Sequence, residues 1–401
     1  MARSELGKRW SLGLAGWRTW IGAVALVAAW SCGRGAEGQT LGLTPEPRVQ
    51  SDCGNNTGIC CPGPLSWSFD PYGGCDPCGE CFGESCRGWF VAHRPATWYG
   101  SVDTVGLTMD RGTNVELARF GPTGTSALST NDMNTEYDAG GRFTVGRTIG
   151  GCWQAEISYL GNFAWDDTRT VATSAGNLSS IFSGFPSTAD ATLDNNTLAH
   201  AAMSSRMATG EVNLRTWVEM PSSALDLQVL VGARYFNAGD RIQYLTSGNR
   251  TLATDVASNN ANVSTGNDLY GLQIGTSAKY LAHRLIYVDF DGKVALCQNF
   301  ASQDTSFTQY DGTGALTSAF ATSASAHRTS LLGDLLLTVN MQFRPNLTLR
   351  AGYQAIFVNG LALGPQNLPN NYLMLSNGIG QLHDNGNAVY HGPVLGLVGT
   401  W

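Results

Sequence analysis

No internal apolar run in this 401-residue chain approaches the roughly 18 to 20 residues a membrane-crossing helix needs, which excludes a helical multispan protein. Charge is sparse: Asp, Glu, Lys and Arg make up 14% of the chain, and mean hydropathy is -0.10. The motifs that announce common chemistry are missing as well. There is no GxSxG elbow, no HExxH pair, no phosphate-cradling glycine loop with its lysine, and no EF-hand spacing. Long helices are disfavoured too, because 49 glycines are interspersed with Ser, Thr and Asn. This composition suits strands and loops.

What is present is alternation. From Leu331 to Phe343 the odd positions read Leu331, Gly333, Leu335, Leu337, Val339, Met341, Phe343, against Asp334, Thr338, Asn340 and Gln342. After a turn at Arg344, Pro345 and Asn346 the pattern resumes as Leu347, Leu349, Ala351, Tyr353, Ala355, Phe357 against Thr348, Arg350 and Gln354. A period of two places one face in an apolar medium and the other in a polar one. Ten strands follow from this reading: 97–109, 141–149, 152–165, 207–220, 224–246, 267–280, 285–298, 328–343, 347–358 and 388–401. Short turns at Gly150-Gly151, 221–223, 281–284 and 344–346 alternate with long polar intervals near 110–140, 166–206, 247–266, 299–327 and 359–387. The fold class expected is all-β: an antiparallel, up-and-down transmembrane β-barrel of about ten strands (range about 8 to 14) in a Gram-negative-type outer membrane, closed by the strand that ends at the aromatic Trp401. Aromatics near strand ends, including Trp98, Tyr159, Trp165, Tyr235, Tyr270, Tyr280, Phe343, Phe357 and Trp401, are expected at the interfaces.

Three segments are expected. Arg3, Lys8, Arg9 and Arg18 precede the apolar run 21–30, and small residues follow at Gly35 and Ala36, so 1–36 reads as a signal peptide. Acylation at Cys32 is disfavoured by Trp30. Cleavage would remove five Lys/Arg and Glu5, leaving 19 basic against 30 acidic groups, which argues against nucleic acid as a partner. Residues 37–96 form a Pro/Gly/Cys-rich periplasmic segment, and 97–401 the barrel. Of ten cysteines, seven cluster as Cys53, Cys60, Cys61, Cys75, Cys78, Cys81 and Cys86. In an exported chain this favours disulfides over a metal or iron–sulfur site. Cys152 and Cys297 should lie apart, the first at the periplasmic end of its strand and the second near the outer end of its own.

Several blocks resemble the putative beta-barrel porin family of type 7: GGRFTVGRTIGGCWQAEISYLG (140–161), LDLQVLVGARYF (225–236), NDLYGLQIG (267–275), DGKVALCQN (291–299), PNLTLRAGYQAIFVNGLAL (345–363) and the closing VLGLVGTW. The resemblance implies an outer-membrane barrel. It brings no substrate and no catalytic residue.

The lumen-facing charges are the site candidates: Arg142, Arg215, Arg234, Lys279, Lys293 and Arg350 against Glu156, Glu211, Glu219, Asp226, Asp289, Asp291 and Asp334. In a barrel this narrow, opposite charges are expected to interlock and fill the lumen. Arg at Leu337 should then cost more than Arg at Thr338. The function expected is porin-like or structural. Alternatives are an adhesin acting through long loops and a rim hydrolase drawing on His383-Asp384, Asp166-Asp167 or His200. No catalytic residue, cofactor or metal is assigned. Partners expected are outer-membrane lipid, the barrel-assembly machinery, and envelope glycans or cell wall.

Overall fold

The computed structural model describes residues 98–133, 136–149, 153–186, 193–218, 225–248, 256–283, 285–370 and 382–401. The expected signal peptide, the Cys-rich segment with its seven cysteines, Cys152 and Glu219 lie outside the described residues.

The strands, in chain order, are β1 (Trp98–Arg111), β2 (Glu116–Phe120), β3 (Ser126–Ser129), β4 (Asp138–Ile149), β5 (Trp153–Ala172), β6 (Leu178–Ser180), β7 (Leu198–Val218), β8 (Leu225–Ser247), β9 (Val256–His283), β10 (Ile286–Asp311), β11 (Leu316–Arg344), β12 (Leu347–Leu361) and β13 (Gly386–Thr400). Ten of them close a barrel in the order β1-β13-β12-β11-β10-β9-β8-β7-β5-β4, with β4 pairing back to β1, all antiparallel. The closing seam is sealed at its lower end by reciprocal backbone bonds of 2.9 Å between Trp98 and Trp401. β2, β3 and β6 make a separate small sheet.

The alternation in sequence becomes a wall with two chemistries. Leu331, Leu335, Leu337, Val339 and Phe343 of β11 point outward, as do Val294 and Leu296 of β10 and Leu272 and Ile274 of β9, the last two 76% and 70% exposed. The same strands turn Asp334, Thr338, Asn340 and Gln273 inward, where they are buried. An apolar exterior of this kind is stable only against hydrocarbon, so the wall crosses a membrane. Above the belt the outer face of β10 turns polar at Gln298, and beyond Phe300 it continues with Ser302 and Asp304.

Four strands continue well beyond that height, which corrects the expected loops. Only 248–255 separates β8 from β9, and only 312–315 separates β10 from β11, so 247–266 and 299–327 are largely strand, and these two connections are far shorter than expected. The composition of these stretches looks like loop, but their period of two persists: Ala301, Gln303, Thr305, Phe307 and Gln309 are buried in turn. Cys297 consequently sits at mid-strand rather than near the outer end of β10. It is buried and free, so a thiol reagent should modify it only after unfolding, without need of a reductant; rapid modification of the folded barrel would contradict this placement.

Trp165 is a second correction. A register shift between Leu160 and Phe163, with Asn162 at φ 70, inserts an extra residue in β5. This reverses the facing parity, because strand side chains alternate with a period of two. Leu160 faces inward, and so do Phe163 and Trp165. Trp165 therefore stacks inside the barrel on Phe163 at 5.6 Å and donates Nε1–H to the Leu107 carbonyl at 2.9 Å, instead of joining an interfacial girdle.

The interior holds two apolar clusters. One joins Val105, Leu107, Phe163, Trp165, Phe236, Leu269, Ala295, Leu332, Ile356 and Tyr390 across the lumen. The other lies further out, where Leu117, Leu128, Leu178 and Phe182 from the small sheet and its neighbouring turn pack on Ile242, Tyr244, Val263 and Phe307 of the tall strands. The long intervals 110–140 and 166–206 thus supply a plug. Within it, hydrogen bonds from Arg119 hold the Glu116 carboxyl below its ordinary range.

Candidate functional site

Below the first apolar cluster the lumen is polar. On five strands the inward series changes character in one step: Asp103 to Val105, Arg234 to Phe236, Lys293 to Ala295, Asp334 to Leu332, and Gln354 to Ile356. These steps fall together around the barrel, so the boundary is a floor rather than scattered contacts. Beneath it lies a cavity of about 250 Å³ whose wall runs down to Pro345 and Asn346 in the β11–β12 turn.

Of the charges named from sequence, Arg142, Glu156, Glu211, Arg215, Arg234, Lys279, Asp289, Asp291, Lys293, Asp334 and Arg350 line this cavity. Asp226 is the register neighbour of Lys279, which in turn neighbours Asp289, giving a row of three across β8, β9 and β10. Arg215 bridges two acids, with Nη2 at 2.9 Å from Glu156 and Nη1 at 2.8 Å from Asp291. Lys293 donates to both oxygens of Glu211 at 2.9 and 3.1 Å and lies 3.6 Å from Asp291. Arg234 donates Nη2–H to Asp334 at 2.9 Å and Nε–H to Thr209 at 3.1 Å. Withdrawing any one of these ions from water costs several kcal/mol, and only close opposite charge together with hydrogen bonds offsets it. Interlocking supplies that compensation.

Asp103 and Tyr99 were not among the residues singled out from sequence. Arg350 forks onto both oxygens of Asp103, with Nε–H to Oδ1 at 2.6 Å, and also donates to Ser101 at 3.0 Å. Tyr99 donates to Glu156 at 2.7 Å. The signal was available: Tyr99, Ser101 and Asp103 share one parity on β1, but that face turns apolar at Val105, Leu107 and Met109 and hides the alternation. Room for the Asp103 carboxylate comes from Gly396, where a Cβ would fall 1.8 Å from Oδ1. Further out, Asp240 accepts from Arg111 at 3.4 Å, from Ser205 and from the Gly364 backbone at 2.9 Å, a second polar layer between the two apolar ones.

The residues considered for hydrolysis are placed apart. His200 Nδ1 meets Thr170 at 2.7 Å, Asp167 pairs with Arg169 at 3.5 Å, and Asp166 is a register partner of Ser204. Asp384 pairs with Arg328 at 3.1 Å, while the His383 backbone is clasped by Asn367. A different imidazole, His391, carries a hydrogen-bonded chain on the outer face: Nε2 is 2.9 Å from Asp110 and Nδ1 is 2.6 Å from the Tyr353 hydroxyl. These groups satisfy one another at the border of the apolar belt, where lipid offers no partners. Among the described residues no cluster of His, Cys, Asp or Glu is arranged to hold a metal ion.

No family model matches the chain, and no curated protein matches it. Solved structures of similar fold include the outer membrane protease OmpT from Escherichia coli, 10% identical, covering 78% of this chain and 98% of that one at a TM-score of 0.44. Others are the Pseudomonas putida toluene transporter TodX, at 8% identity, 77% and 90% coverage and TM-score 0.28, and Ail, the attachment invasion locus protein of Yersinia pestis, at 8% identity, 77% and 100% coverage and TM-score 0.21. The location stands on the barrel itself: an even number of antiparallel strands, closed, apolar outside and polar within, is the bacterial outer-membrane construction, and the chain is an outer-membrane β-barrel protein.

Proposed function

We propose that this barrel is structural and surface-presenting, with a lumen that is closed to solute. The observation that carries the reading is the floor of apolar side chains across the lumen, backed on its outer side by the plug of β2, β3 and β6. A ten-stranded barrel encloses little more than its own side chains, and here a polar layer, an apolar layer, a second polar layer and a second apolar layer occupy that space in turn. The resemblance to the type 7 porin family belongs to the same proposal: this chain has the family's outer-membrane form without an open pore. Residues 1–36 act as the export signal and 37–96 as a periplasmic segment stapled by disulfides. The tall outer wall of β8 to β11 meets envelope glycans or neighbouring cells, and insertion goes through the barrel-assembly machinery into outer-membrane lipid. No reaction is assigned to the barrel. Purified protein in planar bilayers is expected to give no steady conductance; a large, steady, voltage-independent conductance would overturn the closed lumen.

A further inference from the structure

At the outer border of the apolar belt, β8, β9 and β10 carry a group of outward-facing side chains that the lumen does not use. Tyr235 and Tyr270 are register partners with rings 4.9 Å apart, and Phe300 stands edge-on to Tyr270 at 5.9 Å. In the next row up, the Tyr235 hydroxyl at 2.6 Å and Asn237 Nδ2 at 2.9 Å both donate to Asp268 Oδ1. Both bonds fall on one oxygen, so Oδ2 is held in place with no hydrogen-bond partner among the described residues. One row further, Gly239 and Gly266 face each other across β8 and β9. They share the outward parity of Asn237 and Asp268, so the wall is bare there, edged by Arg206 of β7, Ser302 of β10 and, above, Arg241. The backbone does not require these glycines. Neither has a positive φ, and a Cβ on Gly239 would meet nothing nearer than the Thr265 carbonyl oxygen at 3.8 Å.

A bare patch flanked by aromatic rings and by fixed hydrogen-bonding groups suits a pyranose ring. The C–H faces of the sugar pack on aromatic and backbone surface, while its hydroxyls bond to carboxylate, amide and guanidinium. The patch does not select an anion, because Arg206 and Arg241 share these rows with Asp166, Asp268 and Asp304. The surface below says where such a sugar comes from. Leu272 and Leu296, then Val231, Ile274 and Val294, run down from the tyrosines as exposed side chains on the lipid-facing wall. Acyl chains lying on them bring their headgroup to the level of the patch. We propose that the outer face of β8, β9 and β10 around Tyr235, Tyr270, Asp268 and Gly239 binds the sugar headgroup of an outer-leaflet glycolipid. The proposal rests on the reading that the tall wall meets envelope glycans, and it narrows that reading to one place and one ligand class. The two fail separately: bilayer conductance would overturn the closed lumen and leave this wall as it is, and sugar-selective retention that ignores the patch would remove the site and leave the wall's contact with glycans standing.

The test is native mass spectrometry of the full chain released from nanodiscs of phosphatidylcholine that contain a minority of monoglucosyl diacylglycerol with the same acyl chains. The lipids retained on the barrel are compared with those of the bulk. Gly239→Val is the informative variant, because its side chain points away from the lumen and fills the patch without entering the barrel's packing. Enrichment of the glucolipid on the wild type, reduced about fivefold or more in Gly239→Val, is the expected result. Asp268→Asn, which removes the free carboxylate oxygen and keeps the size of the side chain, should reduce the enrichment as well. It carries the test if Gly239→Val fails to fold, as heat-modifiable migration reports. Ala321→Val makes the same kind of change on the outer face of β11, away from the patch, and should leave the enrichment unchanged. No enrichment in the wild type overturns the proposal and leaves the rings as an interfacial girdle only. Enrichment unchanged in Gly239→Val and Asp268→Asn, or lost equally in Ala321→Val, overturns it too.

Discussion

Arg350→Ala is expected to destabilise the barrel by about 3 to 5 kcal/mol, the usual cost of breaking a buried ion pair by removing one partner. The loss is large because of what stays behind. Asp103 is 2% exposed, its carboxylate is packed against Gly396, and no other base of the described residues is paired with it. Urea unfolding of the refolded protein in detergent or lipid, read from tryptophan fluorescence, measures the change. A loss below about 1 kcal/mol would mean that the pair is solvated, as exposed pairs are. Conductance should stay silent in the variant, because the floor from Val105 to Ile356 lies beyond the pair and does not depend on it.

Leu337→Arg should cost on the order of 2 to 4 kcal/mol, whereas Ser302→Arg should be nearly neutral. Both side chains point away from the lumen, but Leu337 lies within the apolar belt and Ser302 on the polar continuation of β10 above it. Thr338 does not serve as the mild control that sequence alternation implied. It is 2% exposed, accepts from Asn340 Nδ2 at 3.0 Å, and has Gly352 packed against it, so an arginine there must force its way into the filled lumen. Equal costs at 337 and 302, from the same unfolding measurement, would misplace the belt.

Period-two alternation, together with tight turns such as Arg344 to Asn346, was enough to establish ten antiparallel strands and which face of most of them meets lipid. Those properties are local: a strand's facing follows from parity, and a half-apolar strand has only one stable orientation in a bilayer. The same parity named most of the charges that line the cavity. It failed where parity itself changed or where composition concealed it. The extra residue at Asn162 reversed β5 and carried Trp165 inside, and no pattern in the flanking residues announces a bulge. Ser, Thr and Asn in 299–311 looked like loop, although outside the membrane a strand wall needs no apolar outer face. Partners were decided only by closure. Asp103 meets Arg350 across 247 positions of sequence because β13 lies between β1 and β12, and the floor exists because five strands change from polar to apolar at one height. Strand register sets those heights, and register is a property of the closed sheet rather than of any one strand.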